Sequence, residues 1–332
     1  MKLKAGLKRV LALLPKEKGK NVFNRVRFTG NPSTVFVTDG ICSSTVFVDE
    51  DIPSFVCDAD ILKYVVKDKG ELSISVEMGK VVMTTEVNRY DIPCEDASAF
   101  PLVIHPSEDL FIEHDLTCID TVIHGASKNS KANGLPFVHF TKDYIEATDR
   151  TRLVKVLYGF DWVGTLPIEL FNKWPSKKGE QGFYADDYRA YFKLGEEYRI
   201  CTLTNVKYPS TEVATKLPSV VNAFTVGRKD LLNMIVQATD ISEVNGVLFE
   251  IGSSYKVKIK ALGRESVLDS YVGELLIEGS NVESKVSVNG KLLQQSLKKI
   301  NGRFITCIYN EYPNPFVVRS GDTLVYIWPM LN

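Results

Sequence analysis

An asparagine-to-phenylalanine phrase occurs three times along this chain of 332 residues, as Asn24-Arg-Val-Arg-Phe28, Asn133-Gly-Leu-Pro-Phe137 and Asn245-Gly-Val-Leu-Phe249. The copies stand about 110 residues apart, and self-similarity at a fixed period is the mark of a chain built from repeated units. Each phrase leads into a second strand-like run that ends in a turn: Val37-Thr-Asp-Gly40, Ala147-Thr-Asp-Arg150 and Ala261-Leu-Gly-Arg264. A repeat of about 110 residues is also an ordinary domain size. The repetition therefore predicts three tandem units, spanning residues 1–105, 106–217 and 218–332, with connectors near Phe100 to Pro106 and Tyr208 to Leu217.

Within each unit the hydrophobic period switches between helix and strand. Leu3, Leu7, Val10, Leu11 and Leu14 share one helical face, from which Lys4, Lys8 and Arg9 point away. Leu116, Ile119, Ile123 and Ala126 open the second unit in the same way, and Leu231, Leu232 and Ile235 the third. A second helical pattern lies midway through each unit, at Asp58 to Lys67, Pro167 to Trp174 and Asn289 to Ile300. Asp58 suits an N-cap and Pro167 a first helical turn. Between helices the text alternates in period two, as in Glu71 to Glu77 and Tyr255 to Ala261, which predicts half-buried strands. The expected class is α+β, with each unit reading helix, strands, helix, strands.

Composition narrows the function. Hydrophobic residues at 44% and charged residues at 24% describe a chain that folds around cores. The apolar run Val10 to Leu14 is too short for a secretory signal, and no stretch reaches membrane-spanning length, so a cytoplasmic protein without a membrane partner is expected. Six cysteines without a CxxC pair read as buried thiols in a reducing compartment rather than a zinc site. The formal net charge of −1 conceals a basic start, where Lys2, Lys4, Lys8, Arg9, Lys16, Lys18 and Lys20 face only Glu17. No GxGxxG, GxxxxGK[ST], HExxH or GxSxG motif is present. The four histidines, His105, His114, His124 and His139, have no partner at ligand spacing, and Asp49-Glu-Asp51 and Asp186-Asp187 read as solvated turns. Neither an enzyme nor a cofactor or metal site is expected.

With the repeat established, the chain resembles the bacterial DNA polymerase III β subunit, the β sliding clamp, whose subunit is three copies of one α+β domain. The resemblance rests on Asn88-Arg-Tyr-Asp-Ile-Pro93 with Ala99-Phe-Pro101, on Ala147-Thr-Asp149 with Arg152-Leu153, on Lys207-Tyr-Pro209 with Leu217-Pro218, and on Asn314-Pro-Phe-Val-Val-Arg319 with Tyr326-Ile-Trp-Pro-Met330. These four pieces lie in the family's order. The resemblance implies helices lining a ring interior with antiparallel sheets outside, a homodimer ring of six domains, and encircled double-stranded DNA. It further implies a DNA polymerase and a clamp loader as partners. A diverged clamp of this kind suits a phage as well as a cell.

Two sets of site residues follow from the resemblance. DNA contact is expected from Lys4, Lys8, Arg9, Lys63, Lys67, Lys173, Lys177, Lys178, Arg228, Lys229, Lys298 and Lys299, with Lys291 beside them. Phosphate attraction carries no sequence information, so such a lining can hold a duplex and still slide. Asp115 and Asp120 interrupt that basicity in the second unit. A hydrophobic cleft for partner peptides is expected from Ala132, Thr148, Arg150, Thr151, Arg152, Leu153, Pro218, Tyr326, Trp328, Pro329 and Met330. Here Arg150-Thr151 replaces the family's Gly-His and Leu331-Asn332 its terminal Arg-Leu, which implies an altered peptide preference. Ala238-Thr239 stands where the family has a bulky apolar pair at the ring seam. The alternatives are a ring-shaped scaffold recruiting transcription or repair factors, and a trimeric ring.

Overall fold

The computed structural model describes residues 1–14, 23–101, 105–127, 135–174, 179–218, 222–252, 255–263, 270–279, 283–310 and 313–330. One order of elements recurs along the chain. The first pass is α1 (Leu3–Val10), β1 (Arg25–Gly30), β2 (Ser33–Thr38), β3 (Cys42–Phe47), β4 (Phe55–Asp58), α2 (Ala59–Val65), β5 (Ser73–Glu77), β6 (Lys80–Thr84) and β7 (Arg89–Glu95). The second begins with β8 (Ile112–Glu113) and α3 (Ile119–Val122), followed by β9 (Phe137–Phe140), β10 (Tyr144–Thr148), β11 (Arg152–Leu157) and β12 (Gly164–Pro167). A 3₁₀ turn at Ile168–Phe171 then leads to β13 (Gln181–Ala185), β14 (Arg189–Leu194) and β15 (Glu197–Thr202). The third follows α4 (Glu212–Thr215), with β16 (Asn222–Gly227), α5 (Arg228–Ile241), β17 (Gly246–Ile251), β18 (Lys256–Ala261), β19 (Ser270–Leu276), β20 (Ser284–Asn289), α6 (Gly290–Lys299), β21 (Phe304–Tyr309), β22 (Phe316–Ser320) and β23 (Thr323–Ile327).

The helices of the second pass are much shorter than the apolar spacing predicts. Around Ile119 only four residues are α-helical, with 3₁₀ turns on either side. The second turn ends at Gly125, which lies so close to β10 that a Cβ there would sit 2.2 Å from the Ala147 carbonyl. The pattern Pro167 to Trp174 yields only the 3₁₀ turn, because Lys173 takes a left-handed φ of 51° and the chain turns away. Phe171 and Trp174 are buried instead, in edge contact with each other and with Phe192.

The chain divides into two compact units, residues 1–117 with 166–205, and residues 118–165 with 206–332. In the first unit, eleven strands form one sheet in the order β5-β6-β7-β4-β1-β2-β3-β15-β14-β13-β8. The ladder between β3 and β15 joins strands of the first and second passes. Inward positions such as Val26, Phe28, Val35, Val37 and Val46 pack beneath Leu3, Leu7 and Val10 of α1 and Ala59, Leu62 and Val65 of α2. The period-two strands and period-3.6 helices thus meet along their apolar faces. Asp58 caps α2 as expected, accepting from the Asp60 N–H at 2.7 Å.

A buried ion pair ties four elements of this unit together. Glu197 and Arg199 are each 1% exposed, and Arg199 Nε donates to Glu197 Oε1 at 2.6 Å. Arg199 Nη1 donates to the Leu170 and Asn172 carbonyls at 2.8 Å each. Ser44 of β3 donates to the same Glu197 oxygen at 3.2 Å, and Arg9 of α1 reaches Glu197 Oε2 at 3.4 Å.

In the second unit, β12-β9-β10-β11-β23-β22-β21-β16 form an eight-stranded sheet and β19-β18-β17-β20 a four-stranded one. Leu231, Ile235 and Ala238 of α5 and Leu293 and Leu297 of α6 fill the core with Phe249, Val288, Phe316 and Ile327. Ala238 is wholly buried there, so its side chain faces its own core.

Removing one partner of a buried pair strands the other charge in the interior. Arg199→Met is accordingly expected to cost about 3–5 kcal/mol in urea unfolding. Combining it with Glu197→Leu should recover part of that loss; a double variant no more stable than the single would show that the pair itself is not what holds these elements.

Candidate functional site

Strand alternation in the second unit gives the eight-stranded sheet two apolar faces. Val154 of β11, Cys307 and Tyr309 of β21, Phe316 and Val318 of β22, and Val325 and Ile327 of β23 join the main core. Their alternate neighbours form a separate cluster: buried Leu153, Val317 and Tyr326, with Leu217, Ile308, Leu324 and Trp328 half-buried around them. Since successive side chains of a strand point to opposite faces, this second cluster lies on the face away from the core. Half-buried apolar side chains grouped on a sheet's outer face form a surface suited to another protein segment.

Thr148, Arg150, Thr151 and Trp328, all expected in the cleft, meet at one edge of this cluster. The β10–β11 turn is held by Asp149, whose Oδ1 accepts from the Thr151 N–H at 3.0 Å, the Arg152 N–H at 2.8 Å and the Thr151 hydroxyl at 2.7 Å. Thr148 is buried and donates to the Arg152 carbonyl at 2.8 Å. Arg150, exposed at the tip, takes a left-handed φ of 76°. The Thr151 carbonyl accepts from the Trp328 N–H at 3.2 Å, which seats the indole-bearing segment beside the turn. Beyond it, the Met330 N–H donates to the Ser287 carbonyl at 3.0 Å and the Ser287 hydroxyl returns a bond to the Met330 carbonyl at 2.9 Å. Trp328, Pro329 and Met330 are all half-buried, and Pro218 is exposed next to Leu217.

Arg152 is directed elsewhere. Its guanidinium, buried on the helix side of the sheet, donates to the His124 carbonyl and, at 3.2 Å, to Gln295 Oε1 of α6. Burial pulls its pKa below the usual arginine value, only partly offset by Asp149. Ala132 lies outside the described residues. Sequence reasoning passed over Ile308, Val317 and Leu324; the alternation Leu324, Tyr326, Trp328 along β23 and just beyond it is the signal that would have found the last of them.

A buried polar group on the same sheet holds the connector between the second and third passes. Glu146 of β10 is 1% exposed. Its carboxylate accepts from the Thr211 hydroxyl at 2.7 Å and lies 3.3 Å from both Lys155 Nζ and His139 Nδ1. Tyr208 stacks on His139 with ring centroids 4.6 Å apart. The connector is thus fixed at Tyr208 and Thr211 shortly before it delivers Leu217 to the outer cluster.

The basic residues divide into engaged and free side chains. Lys8, Lys173, Lys229, Lys291 and Lys298 are exposed. Lys67, also exposed, holds its Nζ 5.6 Å from the Tyr64 ring. Lys4 donates to the Asp68 carbonyl and, at 2.9 Å, to the Gly70 carbonyl, which ties α1 to the turn after α2. Arg228 donates to the Leu297 and Gly302 carbonyls at 2.9 and 2.8 Å, satisfying the C-terminal end of α6. Lys63 pairs with Asp60 at 2.7 Å and Lys299 with Asp120 at 3.1 Å, so the acidic residue of α3 offsets one of the expected cations. Arg9 is shared with Glu197. Lys177 and Lys178 lie outside the described residues. Among the described residues there is no group of three or more His, Cys, Asp or Glu side chains able to hold a metal ion, and no helix is long and apolar enough to cross a membrane.

Neither a protein-family profile nor a curated protein sequence matches this chain. Solved structures do. The DNA polymerase III β subunit of Thermotoga maritima is 16% identical, with a TM-score of 0.80 over 99% of this chain and 98% of its own. The DNA polymerase sliding clamp of Bacillus subtilis is 16% identical, with a TM-score of 0.81 over 99% and 97%. The Helicobacter pylori β clamp, solved bound to a DNA ligase peptide, is 14% identical, with a TM-score of 0.80 over 99% and 98%. The fold is therefore that of the bacterial β sliding clamp along the whole chain, at an identity that leaves little of the sequence in common.

The anchorage of the connector is open to test through Thr211→Val, which keeps the shape and removes the hydroxyl. It leaves a buried Glu146 oxygen short of a donor, a loss of about 1–3 kcal/mol. Amide exchange over residues 206–217 should speed up relative to the core strands; unchanged exchange there would mean that the Glu146 contact does not hold the connector.

Proposed function

We propose that this chain is a DNA sliding clamp: a non-catalytic processivity factor that closes into a ring of identical subunits around duplex DNA and tethers a DNA polymerase. The observation that carries the reading is the clamp fold over the full chain together with the apolar cluster of Leu153, Val317, Tyr326 and Trp328 on the outer sheet face. In this reading each subunit contributes three clamp domains, residues 1–105, 106–217 and 218–332. The outer cluster takes an apolar peptide tail from the polymerase or a clamp loader, burying its side chains against Leu217, Leu324 and Trp328.

Ring closure needs two complementary surfaces on each subunit. Among the described residues β5 and β19 each stand at the edge of a sheet, with one strand neighbour apiece. Val76 of β5 and Leu276 of β19 are 46% and 79% exposed. An open edge is a template for pairing with another chain, and pairing between two different edges propagates head to tail until it closes. β5 of one copy against β19 of the next joins the subunits by backbone hydrogen bonds, a role that buried Ala238 does not fill.

DNA contact falls to the exposed cations. Lys8, Lys229 and Lys298 attract phosphate without reading sequence, and each contact is weak and replaceable, which is what sliding requires. Lys4 serves mainly to hold α1 to the turn after α2, and Arg228 to hold the end of α6.

Sedimentation over a wide concentration range should give a dimer that Val76→Asp converts to monomer; a stable monomer in the unaltered chain would remove the basis for a ring. Loaded protein should remain on closed circular DNA and leave linear ends, and the combined Lys8→Ala, Lys229→Ala, Lys298→Ala variant should bind DNA with a shallower dependence on salt. Equal retention on circles and linear DNA would indicate ordinary binding. Trp328→Ala should weaken a polymerase-tail peptide at least about tenfold in fluorescence anisotropy, the effect of losing a central aromatic anchor.

A further inference from the structure

Two cysteines far apart in the chain face each other inside the first unit. Cys42 begins β3 and Cys201 lies near the end of β15, and the two are direct cross-strand partners. Both are buried, at 2% and 0% exposure, with their sulfurs 3.6 Å apart. The Thr202 N–H donates to the Ile41 carbonyl at 2.9 Å, while the Cys42 N–H and carbonyl bond back to Asp39. Cys42 and Cys201 therefore occupy a non-hydrogen-bonded position of the antiparallel ladder, where Cα atoms approach to about 4.5 Å and side chains come closest. That spacing lies within the range a disulfide spans, about 4.4–6.8 Å between Cα atoms.

We infer that Cys42 and Cys201 form an oxidative modification site, at which a hydroperoxide converts the thiol pair to a disulfide stapling β3 to β15 within the intact sheet. One sulfur, as its thiolate, attacks a peroxide oxygen, the O–O bond breaks, and a sulfenic acid forms as water or an alcohol departs. The partner sulfur then attacks the sulfenic sulfur, the S–O bond breaks, and water carries away the oxygen with the remaining proton. Two thiols lose two electrons and two protons, and the peroxide takes them up. A small neutral oxidant suits this position, since neither sulfur is open to a bulky one. The thiol–thiol hydrogen bond and burial hold the Cys42 pKa well above its ordinary value. The thiolate is scarce, so the folded protein reacts slowly, and the neighbouring thiol captures the sulfenic acid before further oxidation. The staple would tie strands of two successive passes across the ladder that holds the eleven-stranded sheet together. The inference rests on this geometry alone and stands apart from the sliding-clamp reading.

Cys57 and Cys94 are also direct partners, between β4 and β7, and compete for oxidant; the test therefore uses the full chain carrying Cys94→Ser. Hydrogen peroxide treatment, in buffer and in mild urea, is followed by alkylation of free thiols in denaturant and digestion without reduction. Mass spectrometry should find a peptide linked through Cys42 and Cys201 that reducing agent separates. The thermal midpoint of the oxidised protein should rise by roughly 5–10 °C, as expected for a crosslink closing a long loop. Cys201→Ala and, separately, Cys42→Ala should abolish both the linked peptide and the rise. Sulfinic acid at either position without a linked peptide, full alkylation of both thiols after oxidation in urea, or a linked peptide with a lowered midpoint would each overturn the proposal.

Discussion

Two strand ladders, β3 with β15 and β11 with β23, decide how the repeated passes of this chain become sheets. A strand left at an edge presents unpaired N–H and carbonyl groups, and burying those groups without partners is costly. The second pass resolves this by dividing its strands: β13–β15 continue the sheet of the first pass and β9–β11 continue that of the third. Each resulting unit draws strands from more than one repeat. Glu197 and Arg199 stand on the first of these ladders, and their hydrogen bonds extend it to α1, β3 and the 3₁₀ turn before β13.

The second ladder also produces the apolar surface. Pairing Leu153 with Tyr326 puts two outward apolar side chains side by side, and β22 and β21 add Val317 and Ile308 to the same face. The same alternation directs Val154, Val325 and Ile327 into the core. One strand pairing thus fills the core on one face and groups apolar side chains on the other, and neither face can change register without moving the other. The connector fixed through Glu146 and Thr211 borders this surface with Leu217, so a buried polar group helps shape an apolar site.

Much of the fold was legible in the residues. The asparagine phrases at Asn24 and Asn245, the period-two runs and the apolar helical faces at Leu3 to Val10 and Asn289 to Ile300 match elements of the structure closely; the phrase at Asn133 begins outside the described residues. The second-pass helices were overstated, because helical spacing cannot reveal that Gly125 must lie against Ala147 or that Lys173 turns left-handed. The basic residues were legible only as a composition. Lys8 and Lys229 differ from Lys4 and Arg228 in what lies nearby, and carbonyls in a distant turn or at the end of another helix carry no mark in the sequence.

The sequence by itself determined the repetition, the alternation of helix and strand, and the absence of GxGxxG, GxxxxGK[ST], HExxH and GxSxG motifs, since periodicity and residue chemistry are local properties. Tertiary structure decided which strand edges meet, which cations remain free, that Ala238 faces inward, and that Cys42 lies opposite Cys201. Those outcomes depend on contacts between residues far apart in the chain, and the partner of a strand or a charge is set only when the whole backbone has found its hydrogen bonds.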